Sequence, residues 1–277
     1  MELNEFVKLV LTEDVGPGDY TTLATVPKNK MGTSVLLVKE NGILAGMRVA
    51  KEIIKQFDPT IEFEALLKDG DSISKGQKAF YLHGSAASML TIERTVLNVM
   101  QRMSGIATKT NGIVKTISAT KAKLLDTRKT TPLMRFLEKE AVRIGGGYNH
   151  RFGLYDMIMI KDNHVDFAGG IEEAIRKTRL FLNENKLDLK IEIEVRNSEE
   201  LDRVLAHGGV HRIMLDNFSP ERMEKAVLKI NGAFETEASG GITEDNVLEY
   251  ALTGVDFISS GALTHSVKSL DLSLKAV

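Results

Sequence analysis

The sequence predicts an α/β protein in which an N-terminal α+β sandwich-like domain is followed by an incomplete parallel α/β barrel with fewer than eight strands. Three observations carry this expectation. After residue 120, short apolar runs alternate with helical stretches, the rhythm of a parallel sheet. Six such runs occur, fewer than the eight of a complete barrel. Before about residue 105 no such alternation exists, and strands, turns and one short helix mix instead. The expected boundaries are 1–107 for the first domain and 108–266 for the barrel, with 267–277 packing back on the first.

In the first part, Ser34–Val38 and Ala79–Leu82 read as strands, Arg48–Phe57 as a helix apolar on one face, and Lys68-Asp69-Gly70-Asp71 as a turn. From Ser88 to about Ala119 the pattern is helical, either one long helix or two broken at Ser104-Gly105. The barrel strands are then Lys123–Leu125, Met157–Ile160, Ile191–Val195, Arg212–Leu215, Phe234–Ala238 and Asp256–Ser259. Gly170–Lys177 and Pro220–Val227 are two of the intervening helices.

Composition narrows the function classes. With 36 Lys and Arg against 38 Asp and Glu, the chain has no global basic field, which argues against nucleic acid as its partner. No apolar run approaches the ~20 residues of a membrane span, and Met1-Glu2-Leu3-Asn4-Glu5 is acidic where a signal peptide is basic, so the expected location is cytoplasmic. The absence of cysteine excludes disulfides, thiolate metal sites and a cysteine nucleophile.

Polar residues gather where apolar runs end. Asp126, Arg128 and Lys129 follow one strand, Lys161 and His164 the next, and Glu194, Asp216-Asn217, Ser239-Gly240-Gly241 and Ser260-Gly261 the others. In a parallel barrel these ends share one face, so distant residues converge on one mouth. Arginines, lysines and histidines placed in loops around glycines suit a small polyanion. Lys161 ends an apolar run, so its ammonium belongs in the mouth, because burying it alone is costly. Glu194 and Asp216 end neighbouring strands and offer oxygen ligands to a hard cation such as magnesium. Ser239-Gly240-Gly241, leading into an expected helix at Thr243-Glu244-Asp245, together with Gly261-Ala262-Leu263-Thr264, has the makings of a phosphate cradle. Other clusters have ordinary readings. Gly145-Gly146-Gly147 is as readily a helix exit as a ligand loop, and His150 taken alone reads as a core histidine rather than a catalyst.

Taken together, these motifs resemble the quinolinate phosphoribosyltransferase family, nearly from end to end. The resemblance runs through Glu13–Thr22, Glu93–Asn98, Ser104–Thr108, Asp126–Pro132, Gly145–Arg151, Ile160–His164, Leu215–Asn217, Glu237–Gly241 and Gly261–Ser266. It implies transfer of phosphoribosyl from phosphoribosyl pyrophosphate to quinolinate with magnesium, giving nicotinate mononucleotide, pyrophosphate and carbon dioxide in NAD biosynthesis. It further implies that Arg128, His150, Arg151 and Lys161 bind quinolinate, with Arg94 reaching in from a neighbouring subunit. Lys129, Glu194, Asp216, Ser239, Gly240, Gly241 and Gly261 would serve phosphoribosyl pyrophosphate, with Glu194 and Asp216 also holding Mg2+. Lys129, Lys161, Glu194 and Asp216 are the catalytic candidates. The protein is accordingly expected as a homodimer with its site shared between chains, and assembly into a hexamer is left open.

One departure concerns Pro132-Leu133-Met134-Arg135, where members of the family commonly have Pro-Gly-Leu-Arg. A bulky residue there stands where positive φ is usual, which puts the loop after Lys129 and the role of Arg135 in question. Ser260, where valine is frequent, is a smaller change. Three alternatives have distinct signatures. A molybdate-transport-associated paralogue shares the architecture and differs in its anion. A Schiff-base lyase would use Lys161 as its amine, leaving the arginines and carboxylates without a task. A silent anion-binding protein would not need Glu194 and Asp216 intact.

Overall fold

Residues 1–277 are described by a computed structural model, and they group into two units. One comprises Met1–Asn111, Thr130–Gly146 and Leu263–Val277; the other comprises Gly112–Lys129 and Gly147–Ala262. The 108–266 range therefore contains a stretch, Thr130–Gly146, that groups with the first unit.

Along the chain, α1 (Leu3–Val15) and α2 (Tyr20–Thr25) precede β1 (Met31–Val38), β2 (Gly42–Ile43), α3 (Met47–Phe57), β3 (Glu62–Ala65), β4 (Ser72–Ile73), β5 (Lys78–Ser85) and α4 (Ala86–Thr116). There follow β6 (Lys123–Leu125), α5 (Arg135–Ile144), β7 (Ile158–Ile160), α6 (Asp162–Ala168), α7 (Ile171–Glu184), β8 (Ile191–Val195) and α8 (Ser198–His207). The chain ends through β9 (Arg212–Asp216), α9 (Pro220–Ile230), β10 (Glu235–Ser239), α10 (Val247–Leu252), β11 (Phe257–Ser259), α11 (Ala262–His265) and β12 (Leu272–Ala276).

The first unit is built on an antiparallel sheet in the order β12-β1-β5-β3. Its last strand comes from the end of the chain, with Val38 opposite Leu272 and Ser34 opposite Ala276. Asp19 caps α2 by accepting from the Thr22 amide at 3.0 Å. Helix α3 buries Val49, Ala50, Ile53 and Ile54, the one apolar face its spacing dictates. Helix α4 is a single helix of 31 residues, without a break at Ser104-Gly105. Ser104 Oγ instead accepts from the Ala45 amide at 2.9 Å, and a methyl group at Gly105 would collide with the Lys268 carbonyl. The small residues are there for close approach, not for bending. Gly145, which caps α5, is likewise pressed on the Ala107 carbonyl of α4, so this glycine is structural.

The second unit is a wholly parallel sheet in the order β6-β11-β10-β9-β8-β7. Six strands with helices between them, and no pairing between β6 and β7, make the incomplete barrel that the alternation predicts. Ile193, Val195, Ile213, Leu215, Ala238 and Ile258 are fully buried in it. Local signals set the helices: Asn197 caps α8 through the Glu200 amide at 2.9 Å, and Ser219-Pro220 opens α9 with a capping hydroxyl and proline in the first turn. One expectation fails here. Thr243-Glu244-Asp245 does not begin a helix, and α10 starts only at Val247. The Asn246 side chain ties the segment into a turn, accepting from the Thr243 amide at 2.8 Å and donating to the Gly241 carbonyl at 3.1 Å. No helix of the chain is long and apolar enough to cross a membrane.

Candidate active site

All parallel strands of the second unit end on one side, and their C-terminal ends carry most of the residues singled out from the sequence. Lys161 is the first residue beyond β7, and its amide donates to His164 Nδ1 at 2.9 Å, which fixes the start of α6. Its ammonium Nζ is 3.6 Å from Glu194 Oε2 near the end of β8. Asp216 closes β9 and accepts from Asn217 Nδ2 at 2.6 Å.

The electrostatics of this group are coupled. Burial raises the pKa of Glu194, Lys161 opposes that rise, and the charges of Asp216 and Asp162 add to it. Burial also raises the pKa of Asp216, against the Asn217 hydrogen bond and the charges of Lys161 and Lys129. Lys161, Glu194 and Asp216 thus act on one another across three strand ends, and Lys129, beyond the fourth, acts on Asp216. Two carboxylates that resist ionisation beside two ammonium groups form a site suited to a hard cation and a polyanion together.

Arg128 and Lys129 follow β6. The Lys129 amide donates to Thr127 Oγ1 at 3.0 Å, holding that exit in a tight turn. Arg151 is half-buried, and its Nη1 donates to the Met157 carbonyl at 3.2 Å. Its pKa is lowered, first by burial and then by the like charge of Arg128. Two guanidinium groups close enough to repel are stabilised by an anion placed between them, and their planar forks suit carboxylates.

His150, just before Arg151, is buried. Its amide donates to Asp126 Oδ1 at 2.8 Å, and its Nδ1 accepts from the Arg151 amide at 2.7 Å. Its Nε2 is 3.0 Å from Glu192 Oε2 and 3.3 Å from Glu237 Oε2. Burial works to lower the imidazole pKa, but the two carboxylates outweigh it and raise the value to about 9. The Arg151 amide at Nδ1 acts against a second proton there, while a proton on Nε2 is common to both charge states. The pKa of Glu192 is raised by burial and by Glu237. Burial also works to raise that of Glu237, but His150 and Arg212 outweigh it and lower the value. Sequence reading assigned no role to Glu192, Arg212 and Glu237, although charges inside otherwise apolar parallel strands are unusual enough to mark them.

Ser239, Gly240 and Gly241 leave β10, next to β11, which ends just before Ser260-Gly261. Gly240 and Gly241 have φ of +93° and +63°, and a side chain at Gly240 would collide with the Asn217 amide group, so Gly240 is required by the turn itself. The Ser239 carbonyl accepts from the Asn217 amide at 2.9 Å, and Ser260 donates its amide to the Leu125 carbonyl at 3.1 Å. These exits are at the same end of the sheet as Lys161, Glu194 and Asp216. Arg94 is exposed on α4 in the first unit. Leu133 has φ of +65°, the left-handed conformation that glycine adopts freely, and Arg135 Nε donates to Thr130 Oγ1 at 3.0 Å.

Comparison with known proteins covers nearly the whole chain. The family model of the N-terminal domain of quinolinate phosphoribosyl transferase matches residues 19–104, and that of the C-terminal domain matches 106–275. A quinolinate phosphoribosyltransferase [decarboxylating] 2b, mitochondrial, of Nicotiana tabacum is 45% identical over 99% of this chain and 82% of its own. A probable nicotinate-nucleotide pyrophosphorylase [carboxylating] of Bacillus subtilis is 43% identical over 99% of this chain and 93% of its own. The solved structure of the nicotinate-nucleotide pyrophosphorylase from Francisella tularensis superposes with a TM-score of 0.93 at 41% identity, covering 99% of this chain and 96% of that one.

Proposed function

The chain belongs to the quinolinate phosphoribosyltransferase family, and from that premise we propose how its residues divide the family's reaction among them. The enzyme transfers phosphoribosyl from phosphoribosyl pyrophosphate to quinolinate with decarboxylation, giving nicotinate mononucleotide, pyrophosphate and carbon dioxide in NAD biosynthesis. The observation that carries the assignment of roles is the mutual influence of Lys161, Glu194 and Asp216 across neighbouring strand ends, with the charge of Lys129 acting on Asp216.

Arg128, Arg151 and Lys161 clamp the two carboxylates of quinolinate, with His150 beside them. The repulsion between Arg128 and Arg151 supports this, because a dianion relieves it. Lys129 meets the pyrophosphate of the donor. Ser239, Gly240, Gly241 and Gly261 receive its 5'-phosphate through the backbone turns at the ends of β10 and β11, a role that rests on those turns and not on a helix N-terminus. Glu194 and Asp216 would hold magnesium. The donor set fits, since both are oxygen ligands whose burial and mutual repulsion a hard cation offsets. When bound, magnesium would neutralise charge developing on the departing pyrophosphate.

The chain's own residues do the rest by positioning and charge. Cleavage at the anomeric carbon passes through an oxocarbenium-like state, and Lys129 and Lys161 stabilise the electrons leaving with pyrophosphate. The carboxylate clamp holds the pyridine nitrogen facing that carbon. Bond formation makes the nitrogen cationic, so the electron pair left at the adjacent ring carbon by departing carbon dioxide is stabilised by its neighbour. Arg94 completes the clamp of a partner chain, and the protein is a homodimer with shared sites. The direct test is to mix pure protein with quinolinate, phosphoribosyl pyrophosphate and magnesium and assay nicotinate mononucleotide. No product under any magnesium concentration would sink the reading.

A further inference from the structure

Inside the second unit is a set of buried charges that the reaction as derived leaves without a task. Glu192 on β8 and Glu237 on β10 are fully buried, and Arg212 on the intervening β9 is nearly so. Arg212 stands opposite both Glu192 and Glu235 in register, and strand alternation turns Glu237 to the same face. Glu237 Oε2 accepts from Arg212 Nη1 at 2.8 Å and is 3.3 Å from His150 Nε2. Glu192 Oε2 is 3.0 Å from the same nitrogen, an ion-pair contact. Buried carboxylates held in this way are costly, and apolar residues of the same volume would give a more stable core. Their presence calls for a task.

We propose that Glu192 and Glu237 are positioning residues that hold the Nε2 edge of His150 and, through that ring, the backbone from which Arg151 reaches its substrate carboxylate. The mechanical link is short. The imidazole is drawn at Nε2 by the two carboxylates and takes the Arg151 amide at Nδ1, while Asp126 holds the amide of His150 itself. Arg151 is thus fixed from its own backbone as well as by the Met157 carbonyl at its guanidinium. Without the two carboxylates the ring is free to turn, the Arg151 amide loses its acceptor, and the guanidinium is no longer aimed.

A cation is the other occupant such a cluster suggests, since one ligand atom from each of His150, Glu192 and Glu237 lies within 4.8 Å of the others. The hydrogen bonds decide against it. With Nδ1 accepting an amide proton, the ring proton is on Nε2, which leaves that nitrogen no lone pair for a metal. Arg212 supplies the counter-charge instead.

This inference rests on the reading of Arg151 as a quinolinate ligand, so the experiment separates the two. Glu192→Gln and Glu237→Gln keep shape and remove charge. Each should raise the KM for quinolinate by about 10- to 100-fold, the usual effect of removing a residue that orients a ligand, and leave the KM for phosphoribosyl pyrophosphate and kcat nearly unchanged. Glu192→Asp should recover part of the loss. If Arg151→Ala leaves the quinolinate KM unchanged, the reading of Arg151 falls. If Arg151→Ala raises it and the glutamine variants do not, the positioning role falls. An equal rise for both substrates would also overturn it, as would a stoichiometric metal ion in the pure protein that either glutamine variant releases. Should a single variant fail to fold, Glu237→Gln combined with Arg212→Gln removes both charges of that pair and leaves His150 in place, and the same selective loss is expected.

Discussion

Glu194 Oε2 lies 3.6 Å from Lys161 Nζ, joining the end of β8 to the first residue beyond β7. The contact brings a carboxylate assigned to the donor's metal next to an ammonium assigned to the acceptor's carboxylates. With the roles proposed above, the two substrates would meet across a single ion pair, and perturbing either partner should be readable in the binding of one substrate more than the other.

Replacing Glu194 or Asp216 with alanine is expected to weaken binding of magnesium phosphoribosyl pyrophosphate by about 10-fold or more, with quinolinate affinity changed far less. Calorimetric titration of each substrate separates the effects. Unchanged donor binding and turnover in both variants would remove these residues from the site.

Nicotinate lacks the carboxylate beside the ring nitrogen, and so would leave part of the proposed Arg128, Arg151 and Lys161 clamp unpaired. Its kcat/KM should fall below that of quinolinate by a factor on the order of 10^4, as for sites built to hydrogen-bond a group the analogue lacks. Competitive assays measure it directly, and equal turnover of the two acids rules out a two-carboxylate clamp.

Mixing an inactive Arg94→Ala chain with an inactive Lys161→Ala chain should restore activity. Mixed dimers would contain one site with both residues intact, because a two-fold dimer exchanges equivalent surfaces. Demonstrated subunit exchange without recovered activity would place the whole site within one chain and end the assignment of Arg94.

Leu133 is 66% exposed yet has φ of +65°. A leucine in that conformation costs roughly 1–2 kcal/mol, and glycine returns about half of the gain through its freer unfolded state. Leu133→Gly should thus stabilise the protein by about 0.5–1 kcal/mol in urea denaturation. A variant less stable than the parent would mean that the side chain contributes packing that outweighs the backbone strain.

Much of this architecture could be read from local pattern. Lys161 and Asp216 were legible because each interrupts an apolar run where a parallel strand ends, and the six runs themselves implied a sheet short of a full barrel. Glu192 and Glu237 were harder. In Ile191-Glu192-Ile193-Glu194-Val195 the alternation signals one polar face, and polar faces usually meet solvent; only the curvature of the sheet turns this one inward. Thr243-Glu244-Asp245 resembles a first helical turn, but the Asn246 side chain bonds across the segment and holds it as a turn. Gly105 was weighed as a helix break because what it accommodates, the Lys268 carbonyl, comes from the far end of the chain. Local spacing carries no record of such a neighbour.

That same closure sets an order of events during synthesis. Strand β1 has as one partner β12, with Val38 paired to Leu272 far along the chain. At ordinary rates of translation, on the order of 5–20 residues per second, the β1 edge waits roughly 10–50 s for its mate, long after the intervening residues have emerged. The sheet of the first unit is therefore completed only after the strands of the second have been made, and during that interval an unpaired strand edge is open to a chaperone or to another nascent chain.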